Sequence, residues 1–140
     1  MQNQDEMLKQ LEKLGGQPKV TDGNIERIGL NRFSDEIFTL LNSLSNINIL
    51  FFYNVNFKFG DLKRMSQLKG IHTLGFPSCA NLTDDDILDL SEMEDLRKLS
   101  VLSTKVSKAG AEKLVKLMPK LTVSNIPVNS ETGKMIDVTG

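Results

Sequence analysis

Along most of this chain the apolar residues follow two spacings in turn. A short apolar-x-x-apolar-x-apolar run is followed by apolar residues three or four apart, and the couplet recurs. The clearest copies are residues 71–95, IHTLGFPSCANLTDDDILDLSEMED, and residues 96–120, LRKLSVLSTKVSKAGAEKLVKLMPK. Ile71, Leu74 and Phe76 fall on Leu96, Leu99 and Val101; after a one-residue adjustment Leu82, Ile87, Leu90 and Met93 fall on Val106, Ala111, Leu114 and Leu117. Residues 47–70 carry Ile47, Leu50, Phe52, Phe57, Leu62, Met65 and Leu68 in the same order, and residues 25–46 carry Ile25, Ile28, Leu30, Phe33, Ile37, Leu40 and Leu44. A truncated copy begins at Leu121. Self-similarity at this period is the signature of a repeat architecture.

The first half of each couplet ends in the alternation of a strand with one buried face. The second half lays one apolar stripe on a helix. Strand then helix, joined by short connections, forces the strands parallel with the helices on one side, and the crossover sense is right-handed. The pattern predicts parallel strands near 26–30, 48–52, 72–76, 97–101 and 121–124, with helices near 5–14, 34–44, 60–68, 84–92 and 108–117. Met7, Leu8, Leu11 and Leu14 stripe the first helix, which Gly15-Gly16 stops. Asp22-Gly23 signals a turn between a strand at Lys19–Thr21 and the strand at Ile25–Leu30, so residues 1–24 read as an N-terminal cap. Val128 and Met135–Val138 flank Asn129-Ser130-Glu131-Thr132-Gly133-Lys134, a short hairpin or ordered tail, and residues 121–140 read as a truncated unit with a C-terminal cap. The whole chain, 1–140, is then a single domain with units at 25–46, 47–70, 71–95 and 96–120.

This pattern resembles the leucine-rich repeat family. It is most similar to the cysteine-containing and ribonuclease-inhibitor-like variety, whose units carry (V/L)-(T/S)-D-x-G-(L/A)-x-x-L. The residues that carry the likeness are Leu82-Thr83-Asp84-Asp85-Asp86-Ile87 and Val106-Ser107-Lys108-Ala109-Gly110-Ala111. In such repeats a Cys, Asn or Thr closes the strand segment and turns inward to bond loop backbone, a place that Cys79 and Thr104 fill here. Phe33, and Val55 or Phe57, stand there in the first two units, against the pattern. The opening helix, turn and strand resemble the start of small, self-contained bacterial members. The resemblance implies a right-handed α/β solenoid with about five parallel strands on its concave side and helices on its convex side.

Composition narrows the function. Seventeen Lys and Arg against eighteen Asp and Glu give a net charge of −1, which argues against a nucleic-acid partner. No apolar run reaches the ~18 residues of a membrane span. The start MQNQDEM has no basic-then-apolar stretch, so the expected location is cytoplasmic. A single Cys excludes an internal disulfide framework.

Catalytic ingredients are few. His72 and Cys79 lie seven residues apart in one nearly extended segment, on the order of 20 Å at ~3.3 Å per residue, far beyond hydrogen-bond reach. Cys79 reads as a small buried hydrophobe. Asp84-Asp85-Asp86 lacks the alternating ligands and Gly of a calcium loop; Thr83 before it is an N-cap candidate, and acids suit a helix's first turn. No glycine frame suggests a nucleotide cradle. The expectation is therefore no enzyme, no cofactor and no metal.

What remains is the outward face of the strands. Phe51 and Tyr53 are its outward aromatics, beside Ile49 and Leu102 and several basic side chains. Aromatics and Arg are enriched at binding hot spots, although any half-solvated sheet carries some. The candidate partner-binding residues are Arg27, Arg32, Phe51, Tyr53, His72, Arg97, Lys98 and Leu102. The expected function is a non-catalytic module that binds a protein or peptide through this face. The alternative is a non-catalytic structural scaffold that self-associates through a solenoid end, or a subunit of a larger complex.

Overall fold

In a computed structural model, which describes residues 3–129 and 131–140, one sheet runs the length of the molecule. Met1, Gln2 and Ser130, which belong to the expected caps and turn, lie outside the described residues. The elements in chain order are α1 (Gln4–Lys13), β1 (Gln17–Thr21), β2 (Asn24–Leu30), α2 (Asp35–Ser43), β3 (Ile49–Phe52) and α3 (Asp61–Met65). There follow β4 (Thr73–Gly75), α4 (Asp84–Leu88), β5 (Lys98–Ser100), α5 (Lys108–Leu117), β6 (Thr122–Asn129) and β7 (Lys134–Thr139).

The seven strands lie in the order in which the chain makes them. β2 to β6 are parallel, and β1 and β7 add antiparallel edges. Register follows the apolar column. Ile28 pairs with Leu50, Leu50 with Leu74, Leu74 with Leu99 and Leu99 with Val123, and all five are fully buried. Because side chains alternate across a strand, a one-residue slip would put this whole column in water. The helices cover that side: Leu11, Ile37, Leu62, Ile87 and Leu114 join the column in one core. The sheet is thus mixed α/β, mostly parallel and not closed.

Helices α1, α2, α4 and α5 begin where a small polar side chain can satisfy a free backbone N–H, whereas α3 begins at Gly60 with no side-chain cap. Asn3, Ser34, Thr83 and Ser107 cap α1, α2, α4 and α5, and Thr83 forms a reciprocal capping box with Asp86. Each such cap contributes about 1 kcal/mol. The acidic triplet therefore serves helix α4 in part. Gly15, at φ +92°, ends α1 in the left-handed region and brings Gly16 N–H within 2.7 Å of the Leu11 carbonyl.

The sequence reading differs from the structure in three places. α3 is shorter than the predicted 60–68, because Gln67 and Leu68 bond back only three residues, to Arg64 and Met65. The predicted helix over 84–92 divides into α4 and a 3-10 turn at Asp89–Glu92. The sheet extends beyond the five expected parallel strands, present as β2 to β6, to seven, since the strands of both caps join it. The Asp22-Gly23 turn lies where the sequence placed it, with both residues at positive φ. Of the hairpin or ordered tail expected there, a hairpin closes the C-terminal end. Among the described residues no helix is long and apolar enough to cross a membrane.

Candidate binding face

The side of the sheet away from the helices is open, and the register orders its residues into rows. Ile49 pairs with Thr73, Thr73 with Lys98 and Lys98 with Thr122; the Ile28–Leu50 pairing sets Arg27 level with Ile49. The next row runs Gly29, Phe51, Gly75, Ser100 and Ser124. With seven strands spaced ~4.8 Å apart the face is about 29 Å wide, half again the width that five strands would give.

Phe51 and Tyr53 do not stand out from the sheet. Each ring lies over a glycine of a neighbouring strand. A Cβ built on Gly75 would run into the Phe51 ring, and one on Gly29 would fall 2.8 Å from Tyr53 Cε2. The two rings are 6.1 Å apart and tilted by 32°. Resting on bare backbone leaves Phe51 half-buried while Tyr53 stays 45% exposed. Neither ring packs in the core. The result is a low, rigid aromatic platform.

The other expected site residues divide. Arg27 and Lys98 are exposed and lie on the row beside the platform. Leu102 is half-buried just past β5, where its carbonyl accepts from Ser78 N–H at 2.9 Å. His72 and Arg97 precede their strands and lie at the N-terminal edge of the face; the His72 carbonyl accepts from the Arg97 and Lys98 amides. Arg97 also turns its guanidinium back, donating to the Glu94 and Leu96 carbonyls at 2.8 and 3.0 Å. Arg32 stays with the N-terminal cap, its Nε 3.6 Å from where a side chain on Gly15 would begin. The structure thus gathers Arg27, Phe51, Tyr53 and Lys98, and leaves Arg32, His72 and Arg97 at the margins.

Strand alternation also puts Gly29 and Gly75 on this face, level with Phe51. The usable signal for the platform was a glycine at an outward position on each strand flanking that of an outward Phe. Sequence reasoning missed the hydroxyls of Thr122, Ser124 and Thr139, which β6 and β7 bring to the far side.

Behind the strands' C-terminal ends lies a different chemistry. Phe52 and Phe76 stack at 5.9 Å, and Phe33 and Phe57 meet them edge-on at 5.4–5.7 Å. This cluster fills the first two turns, which explains why apolar Phe33 and Phe57 stand there in place of a polar turn residue; Val55 is buried as well. In the third and fourth units the polar residue bonds as expected. Cys79 Sγ donates to the Phe52 carbonyl at 3.2 Å; Thr104 Oγ1 donates to the Val101 carbonyl at 2.8 Å and accepts from Val106 N–H. Burial pushes the Cys79 thiol above its ordinary pKa, with the Val55 and Asn54 amides pulling partly back, so the group stays a thiol at neutral pH. His72 is exposed and bonds Thr73 Oγ1, so the buried thiol and the imidazole face different surroundings. Among the described residues no cluster of three or more His, Cys, Asp or Glu could hold a metal ion. No family model, no curated protein and no solved structure matches this chain.

Proposed function

We propose that the protein is a non-catalytic interaction module, built as a leucine-rich-repeat-like right-handed solenoid, that binds a peptide-sized segment on its open sheet face. The observation that carries this reading is the aromatic platform, Phe51 and Tyr53 laid over Gly75 and Gly29. Flat rings on a stiff sheet offer apolar area without the entropy cost of ordering a loop. Size favours a peptide over a folded partner. About 29 by 17 Å of sheet is on the order of 500 Å², below the ~800 Å² per side of a stable protein interface.

Panning a displayed random-peptide library tests the reading. The wild-type protein should enrich related sequences, and the folded Phe51→Ser/Tyr53→Ser variant should enrich none of them. Equal enrichment by both would move binding away from this face.

A second reading, self-association through the C-terminal end, has its own support. Leu117, Val128 and Met135 are 60%, 45% and 47% exposed there, and a cavity of about 330 Å³ opens between Met93, Leu96 and Leu117–Lys120. Exposed apolar groups of this size mark candidate contact surfaces.

A further inference from the structure

The row beside the aromatic platform holds the chemistry for a particular ligand. Across β2 to β5 it runs Arg27, Ile49, Thr73, Lys98, a stretch with a cation at either end and an apolar residue between them; Lys19 lies beyond Arg27 and Thr122 beyond Lys98. Among the described residues neither Arg27 nor Lys98 has a carboxylate within ion-pair distance, so both charges are available to a ligand. Both are exposed. Asp137, on the same side of β7, lies two strands beyond Lys98.

Three strand spacings of ~4.8 Å separate the two cations by about 14 Å. An extended peptide advances ~3.3 Å per residue and presents alternate side chains on one side, so residues i and i+4 face the same way about 13 Å apart. The geometry points to an acidic linear peptide, lying in extended form across the strands, with carboxylates at i and i+4 on Arg27 and Lys98 and an apolar residue at i+2 against Ile49 and Phe51. The inference rests on the open face being the binding surface and adds the class of ligand that face selects. Arg27 would grip one carboxylate through its planar fork and Lys98 the other as a point charge. Each pair is solvent-exposed and individually weak, so the contribution is to selectivity and to the on-rate, and it fades as salt rises.

Fluorescence anisotropy with three labelled peptides tests this. Glu-Ser-Leu-Ser-Glu should bind at least tenfold more tightly than Lys-Ser-Leu-Ser-Lys. It should also bind several-fold more tightly than Glu-Ser-Glu-Ser-Leu, whose carboxylates are two residues apart. The Arg27→Glu/Lys98→Glu variant should invert the first preference, and Arg27→Gln/Lys98→Gln should flatten it if the reversal variant does not fold. Equal affinity for all three peptides, or a preference the charge reversal does not invert, overturns the acidic-peptide assignment. In that event the Phe51→Ser/Tyr53→Ser variant separates the two claims. If it loses the charge-blind binding, the face remains the binding surface. If it keeps that binding, or if no peptide binds at millimolar concentration, the face assignment falls as well.

Discussion

The Asp84 carboxylate occupies the space that a side chain at Gly110 would need. A Cβ built on Gly110 would fall 2.7 Å from Asp84 Cβ and closer still to the carboxylate. The same carboxylate accepts from the Ser107 amide at 2.7 Å and from its hydroxyl at 2.6 Å, so one acid from α4 ties down the start of α5. In α5 the matching first position is Lys108, and among the described residues no further helix follows for an acid there to hold.

Gly110→Ala sets two effects against each other. Alanine is the better helix former by up to ~1 kcal/mol, while displacing the carboxylate loses charge-assisted hydrogen bonds at about 1.5–3 kcal/mol each. Displacement should win; because both bonds are solvent-exposed and so worth less than those figures, the net loss should be about 1–3 kcal/mol in denaturant unfolding. In an Asp84→Ala background the clash is gone and Gly110→Ala should become neutral or stabilising. The same loss in both backgrounds would show that the two side chains do not compete for this space.

Most of the element order was readable because it depends on one physical demand, an apolar column that must stay inside. Ile28, Leu50, Leu74, Leu99 and Val123 meet that demand, and every expected strand and helix lies over them or beside them. The turns were less readable. Asn54, Ser78 and Ser103 follow their strands and Asn125 interrupts β6, all at φ between 53° and 67°, yet only the two Asn carry a propensity signal for that conformation. The site was readable as a face but not as an arrangement. Arg97 sits on an outward-reading stretch, and local bonds to the Glu94 and Leu96 carbonyls take it elsewhere. Such fold-back bonds leave no periodic trace in a sequence.

The buried thiol gives a kinetic and a pH prediction. Alkylation of Cys79 should be slow in native protein and fast in denaturant; equal rates would contradict its burial. Its folded-state pKa is raised, so the unfolded chain releases the proton first as pH climbs. This contribution to stability is complete below the ordinary thiol value of ~8.5 and is lost as pH rises through the raised folded value. Cys79→Ala should cost about 1–2 kcal/mol at neutral pH and show a shallower alkaline decline than wild type. Parallel pH curves for the two proteins would assign the decline to other groups.

The glycine beneath Phe51 separates surface shape from folding. Gly75→Ala pushes the ring off the sheet into water, where a side chain outside the core has little packing to lose. Stability should change by about 1 kcal/mol or less, since strand glycine is itself weakly unfavourable. Peptide binding should fall at least fivefold because the platform is no longer flat. A folded Gly75→Ala protein with unchanged binding would show that the ring's position on the sheet does not matter.

The two proposed functions differ in what the C-terminal end does. Leu117 and Met135 are 60% and 47% exposed, so Leu117→Lys with Met135→Lys should shift stability by only about 0.5 kcal/mol. For a peptide-binding module, wild type and variant should both sediment as monomers at micromolar concentrations and bind peptide equally. A wild-type dimer that the two lysines return to monomer would instead place the contact at the end of the sheet. Peptide binding measured on that monomeric variant then decides between the readings. Affinity retained without the dimer leaves the open face as the working surface, and affinity lost with the dimer makes association between copies the primary function.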